Sequence, residues 1–169
     1  MRLLHYASKP VERVNSVDQE PRHRSATLFK PRGLWVSVEG EDDWLTWCLS
    51  EGFAPQNLAF VHEIVLSPSA RLIHLSGADQ IDEFTRAYGL TDLASYGLSG
   101  LAQGYAIDWC RLADEYQGII IAPYVWERRL KGGARWYYPW DCASGCIWDA
   151  AAVDAIKLLD FPPPSDGTA

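Results

Sequence analysis

Gly118-Ile119-Ile120-Ile121-Ala122-Pro123-Tyr124 is a continuous apolar run. It has the length of one strand and no polar alternation, so it predicts a strand buried on both faces. A chain carrying such a strand must cover its sheet on two sides. At 169 residues there is enough chain to do so within one domain, without staples. We place that domain at residues 1–160 and read 161–169, which carries three prolines, as a flexible tail.

Other elements can be set around this strand. Leu3-Leu4-His5-Tyr6 reads as a first strand, and Val11, Val14 and Val17 are spaced for a helical turn. Asp18–Lys30 has a loop's composition. Lys30-Pro31-Arg32-Gly33 is a turn signal leading into the strand Leu34–Val38. A helix is expected over Glu41–Gly52, with acids in its first turn and Gly52 as its stop. Phe60–Leu66 and Arg71–Leu75 read as strands joined by Ser67-Pro68-Ser69-Ala70. Helices follow over Ala78–Tyr88 and Asp108–Tyr116. Ser95–Gln103 is irregular. The aromatic run Trp136–Trp140 predicts a strand, with Pro139 restricting it to an edge or a bulge. Cys142-Ala143-Ser144-Gly145-Cys146 is turn-like, and Ala150–Leu159 reads as a last helix. Strands mixed irregularly with short helices give an α+β fold class.

The formal charge of −7 argues against nonspecific binding to nucleic acid or an anionic membrane surface, while leaving room for a local basic cleft. No apolar run reaches bilayer length, and the N-terminus lacks the composition of a secretory signal, so a cytoplasmic protein is expected. The four cysteines are then expected as reduced thiols, and Cys142-x3-Cys146 has no partner pair for zinc, so no metal is expected. Eight Trp is a high number, and several are expected to line a groove or interface as well as the core. Asp141 follows the aromatic run directly. A carboxylate among aromatic walls suits either chemistry or the capping of the next turn.

Leu4-His5-Tyr6-Ala7-Ser8, followed after a polar stretch by Pro31-Arg32-Gly33-Leu34-Trp35-Val36-Ser37, resembles the opening of small ADP-ribosyltransferases. Members of that superfamily begin with a His-Tyr-Thr/Ser or His-Gly-Thr/Ser strand, followed by a Gly-aliphatic-aromatic strand. His62–Leu66, a proline turn, Ala70–Leu75 and a helix continue the likeness. Glu115-Tyr116-Gln117-Gly118-Ile119-Ile120 is similar to the family's Tyr-Asp-Gly-Val strand. The resemblance runs in order and spacing over residues 3–148. It implies a split mixed or antiparallel β core with short flanking helices and NAD as substrate. It also implies transfer of ADP-ribose to an unknown macromolecular acceptor, or to water, with release of nicotinamide. His5, with Tyr6 beside it, matches the position that bonds the adenosine ribose. Trp35 matches the aromatic that stacks on nicotinamide, where the family more often has Tyr. Ser37 matches the small hydroxyl at the strand end. Arg32 and Lys30 precede that strand, where they would meet the pyrophosphate. The acid that stabilises the oxocarbenium-like centre falls on Asp141 first and Glu115 second, since no Glu lies on 136–140.

Two other classes stay open. A non-catalytic binding module would use an aromatic groove for a protein or nucleobase partner. A thiol-dependent hydrolase would need Cys142 or Cys146 beside His62 or His74. A toxin or phage effector and a housekeeping enzyme are equally compatible with the sequence.

Overall fold

The computed structural model describes residues 1–19, 28–53, 58–94, 99–101, 104–130 and 133–160; the tail expected at 161–169 lies outside these, as does part of each of the loops expected at 18–30 and 95–103. The chain is mixed α+β. Its strands are β1 (Leu3–Ala7), β2 (Leu34–Val38), β3 (Phe60–Leu66), β4 (Leu72–Leu75), β5 (Gly118–Ile121), β6 (Ser144–Ile147) and β7 (Val153–Leu159). The helices are few and short: α1 (Trp44–Glu51), α2 (Ala78–Tyr88), α3 (Trp109–Glu115) and α4 (Trp126–Arg129). One open seven-stranded sheet runs in the order β4-β5-β6-β2-β1-β3-β7. The β4–β5 pair is parallel and the other neighbours are antiparallel. No helix among the described residues is long and apolar enough to cross a membrane.

The apolar run behaves as its composition demands. All of β5 is buried, with Ile119 and Ile121 at 0 % and Ile120 at 2 % exposure. Successive side chains point to opposite faces, so the sheet is covered on both sides there. The helices supply their apolar stripes to the same core: Ile81, Phe84 and Tyr88 from α2, and Trp109 and Leu112 from α3. Asp108 caps α3 by accepting from the Arg111 N–H at 3.0 Å. Asp43 caps α1 in the same way through the Thr46 N–H at 2.8 Å, so that helix starts at Trp44 rather than at Glu41. Gly52 ends α1 in a left-handed conformation with φ 61°.

Four expectations are corrected. Arg135–Tyr137 is a 3-10 turn rather than a strand, and Trp136, Tyr137 and Trp140 are fully buried core residues. Cys142–Cys146 is not a turn, because Ser144–Ile147 is a central strand between β5 and β2. Val153–Leu159 is a strand pairing with β3, preceded by a 3-10 turn at Ala150–Ala152, rather than a helix. Val11–Val17 forms no helical turn; Val17 instead donates its N–H to the Trp148 carbonyl at 2.8 Å. In addition, β3 and β4 do not form a hairpin. They lie towards opposite ends of the sheet, β3 between β1 and β7 and β4 beside β5.

β1 and β2 are paired only at Leu3↔Val38 and Leu4↔Ser37. Beyond Leu4, β1 goes on pairing with β3 through Ala7↔Phe60, while β2 goes on pairing with β6 through Leu34↔Ile147. Each strand follows its other neighbour, and the sheet opens between them. Gly33 holds β2 against β6 at this end: its φ is 152°, and a Cβ there would stand 2.3 Å from the Ile147 carbonyl oxygen.

Candidate functional site

The opening of the sheet is the candidate site. A cavity of about 540 Å³ is lined by Leu4, His5, Tyr6, Ala7 and Ser8 of the β1 side and by Trp35, Val36 and Ser37 of β2. Consecutive residues of both strands line it. The face of an intact sheet would offer only alternate ones, so the cavity lies in the gap where the ladder has stopped. Lys30, Trp44, Asp141, Cys142 and Ser144 close its other sides.

His5 substitutes for part of the missing ladder. Its Nδ1 lies 2.7 Å from the Trp35 carbonyl oxygen. A carbonyl can only accept, so the ring proton sits on Nδ1 and the neutral ring keeps its Nε2 lone pair. Burial lowers the His5 pKa from its ordinary 6.5, against the opposing pull of the Trp35 carbonyl, and nearby His62 adds to the lowering. His5 is therefore neutral at physiological pH and offers a hydrogen-bond acceptor. His62, its partner across the β1–β3 ladder, has the same tautomer: its Nε2 accepts the Val11 N–H at 2.9 Å, so its proton also sits on Nδ1. The buried His62 Nδ1 has no partner among the described residues.

Tyr6 sits beside His5, and burial is the main cause that pushes its phenol up to about 12, so it stays a donor. Ser37 is buried, and its Oγ accepts the Trp44 N–H at the start of α1 at 2.9 Å, leaving its own O–H to donate. Trp35 packs edge-on against buried Trp140, with centroids 4.9 Å apart. The Lys30 ammonium lies 5.0 Å from the Trp35 ring centroid and 4.0 Å from Asp141 Oδ2. Burial lowers the Lys30 pKa, and the facing Asp141 carboxylate opposes that lowering. Asp141 is also paired with Arg129, whose Nη2 donates to Oδ1 at 2.9 Å.

His5, Tyr6, Trp35, Ser37 and Asp141 thus meet on one cavity, although they come from three separate parts of the chain. Arg32 and Glu115 do not join them. The Arg32 backbone is bracketed by the Gln19 side chain, which accepts its N–H at 2.9 Å and donates to its carbonyl at 2.7 Å. Its guanidinium reaches the Asp18 carbonyl at 3.4 Å, away from the cavity. Glu115 ends α3 and accepts from the Tyr88 hydroxyl of α2 at 2.9 Å, so it ties two helices together. Lys30, two residues before Arg32, is the cation the cavity contains.

Cys142 lines the cavity, but burial pushes its thiol up to about 12. Burial also raises the Cys146 pKa, and that thiol points to the Pro31 carbonyl. Neither has a histidine as hydrogen-bond partner among the described residues, so neither is an activated nucleophile. Among the described residues no group of three or more His, Cys, Asp and Glu is placed to hold a metal ion.

Sequence reasoning missed Trp44 and Ser144 as cavity walls. Both sit at element boundaries, the first turn of α1 and the first residue of β6, where the sequence alone left their neighbours unspecified. Comparison of the chain with protein-family models, with curated proteins and with solved structures returned no match in any of the three.

Proposed function

We propose that the cavity between β1 and β2 binds NAD, and that the chain cleaves the nicotinamide–ribose bond and passes ADP-ribose to a macromolecular acceptor or to water. The observation that carries this reading is the convergence of His5, Tyr6, Trp35, Ser37 and Asp141 on one cavity. Its volume of about 540 Å³ suits a cofactor-sized ligand. A sheet opened between two central strands also agrees with the split core of an ADP-ribosyltransferase-like architecture, which we propose for it.

The side chains suit the parts of NAD. The neutral His5 ring would accept from a ribose hydroxyl through Nε2, and Ser37 and Tyr6 retain protons to donate. Trp35 offers an indole face for the nicotinamide, and Lys30 a cation for the pyrophosphate. In the reaction the glycosidic C–N bond breaks with its electron pair leaving on nicotinamide. Positive charge develops on the ribose carbon, an acceptor lone pair attacks that carbon, and the acceptor loses its proton. Asp141 supplies fixed negative charge for the cationic stage, in a cavity whose walls limit screening by water.

One observation favours a second reading, a non-catalytic binding module with an aromatic groove. Asp141 is held by Arg129 at 2.9 Å, which makes the carboxylate an anchor in its own right. The test is mass spectrometry of NAD incubated with the protein and a cell lysate. The enzyme reading expects free nicotinamide and an ADP-ribose adduct or free ADP-ribose. An absence of both NAD binding and NAD consumption overturns it.

A further inference from the structure

α1 begins in the wall of the cavity. Trp44 lines it, and its backbone N–H is held by Ser37 Oγ at 2.9 Å. From there an aromatic surface leads outward. The Trp44 and Trp47 rings stack at 4.9 Å between centroids with 16° between planes. Phe53, just past the helix end, packs on both, 5.7 Å from Trp44 and 5.4 Å from Trp47. Glu51 lies on the same stripe, since 44, 47 and 51 are spaced by three and four.

The cluster is not buried as a core cluster would be. Phe53 is 45 % exposed, and Trp44 and Trp47 are half-buried. The charge around it has one sign. Glu41, Asp42, Asp43 and Glu51 lie between residues 41 and 53, and that segment contains no Lys or Arg. Asp43 is used as the helix cap, and Asp42 accepts from the Trp126 indole N–H at 3.1 Å. Glu41 and Glu51, both exposed, have no ion-pair partner among the described residues.

An indole and phenyl surface bordered by unpaired carboxylates has a definite complement. Planar guanidinium groups stack on aromatic faces and pair with carboxylates, and the aliphatic stems of long cationic side chains cover apolar surface. Phosphate-bearing partners are repelled by the same carboxylates. We infer that the Trp44–Trp47–Phe53 surface with Glu51 docks an arginine-bearing segment of a protein partner. Resting on the NAD reading above, this names the acceptor as a basic protein segment, delivered to the cavity at Trp44. The stripe runs from outside into the wall of the site, so a chain bound along it presents a residue to the cavity mouth.

The experiment uses fluorescence anisotropy with the full chain and three labelled probes: an alternating glycine–arginine hexapeptide, its glutamate counterpart and a single-stranded oligonucleotide. Binding of the arginine peptide is expected, weakening as salt is raised, with neither of the other probes bound. Glu51→Lys is expected to cost about tenfold in affinity for the arginine peptide, as is Trp47→Ala with an unchanged circular dichroism spectrum. The inference is overturned if the arginine peptide does not bind, if it binds Glu51→Lys as well as the parent, or if the oligonucleotide or acidic peptide binds as tightly. NAD binding is measured in parallel. Peptide binding without NAD binding keeps the docking surface and removes the NAD reading, whereas NAD binding without peptide binding does the reverse.

Discussion

Asp141→Asn separates the two readings of the cavity, because it removes a charge while nearly preserving shape. The carboxylate accepts from Arg129 at 2.9 Å and faces Lys30 at 4.0 Å, with side chains roughly a quarter to a third exposed. Two unit charges about 4 Å apart at an effective dielectric of about 20 attract by about 4 kcal/mol before desolvation is subtracted. Desolvation and side-chain ordering cancel most of that attraction at such a partly exposed site. Asn retains an oxygen for Arg129, so the net loss of stability is about 1 kcal/mol. In a chain of this size that is a fall of about 2–4 °C in melting temperature. If Asp141 only anchors Arg129, turnover should fall by no more than the same free energy allows, about fivefold. If it faces the developing ribose cation, turnover should fall about 100- to 1000-fold, as when a preorganised electrostatic partner is removed elsewhere. The assays are differential scanning fluorimetry and nicotinamide release under saturating NAD. A small melting shift with a hundredfold loss of turnover supports catalysis. Nicotinamide release within fivefold of the parent refutes the role we assign to Asp141.

Three further predictions concern His5 and two glycines. Burial lowers the His5 pKa below 6.5, so as pH falls through 6.5 the unfolded chain takes up a proton before the folded one, and stability drops towards the folded pKa. Urea midpoints of the parent should therefore fall relative to those of His5→Gln as pH drops below 6.5, while NAD affinity holds until the lower folded pKa is reached and the Nε2 lone pair is lost; parallel midpoint curves would refute the lowered His5 pKa. Gly145→Ala places a Cβ 2.6 Å from the Ile119 carbonyl oxygen in the centre of the sheet, and should cost about 1–3 kcal/mol by thermal melting. Gly77→Ala meets nothing within 4 Å and should shift stability by less than about 0.5 kcal/mol.

The legible parts of the fold were those whose local signals agreed with their surroundings. Ile119–Ile121 had one physical solution, burial on both faces, and takes it. Ile81, Phe84 and Tyr88 sit on a helical period that packs against the same core. The stretch from Arg135 to Leu159 misled because tertiary packing overrode propensity. Its aromatics suit a pleated strand, yet Trp136, Tyr137 and Trp140 fill the core from a tight turn, with the Trp136 indole donating to Thr85 Oγ1 at 2.8 Å. Ser144-Gly145-Cys146 looks like a turn because its residues are small. They are small because β6 is squeezed between β5 and β2, where Gly145 touches the Ile119 backbone. Ala150–Leu159 has a helix former's composition, but the open edge of β3 recruits it as β7. In the site, residues on strands were readable by order along the chain. The side on which Glu115 and Arg32 would emerge was not, because helix and loop side chains are oriented by contacts far away in sequence, here Tyr88 and Gln19.

The cavity exists because β1 is shared by two neighbours that part company. Strands β3 and β7 draw β1 one way through five paired positions, while β6 draws β2 the other way through four. A sheet cannot open in its middle without leaving backbone groups that seek partners. His5 answers one such group, the Trp35 carbonyl, with a side chain in place of a strand. That substitution fixes its tautomer and turns Nε2 into an acceptor, so the same bond that seals the split also prepares the ring for a hydroxyl-bearing ligand. Ser37 does the equivalent at the last paired position, spending a lone pair on Trp44 and keeping its proton. The hydrogen bond that closes the sheet and the one proposed to orient a ligand therefore come from one imidazole ring, through Nδ1 and Nε2, and a substitution at His5 is expected to change both. For that reason His5→Gln, whose amide can donate to the Trp35 carbonyl and still offer its oxygen, is the replacement expected to retain most of the binding, and His5→Phe the one expected to lose both binding and stability.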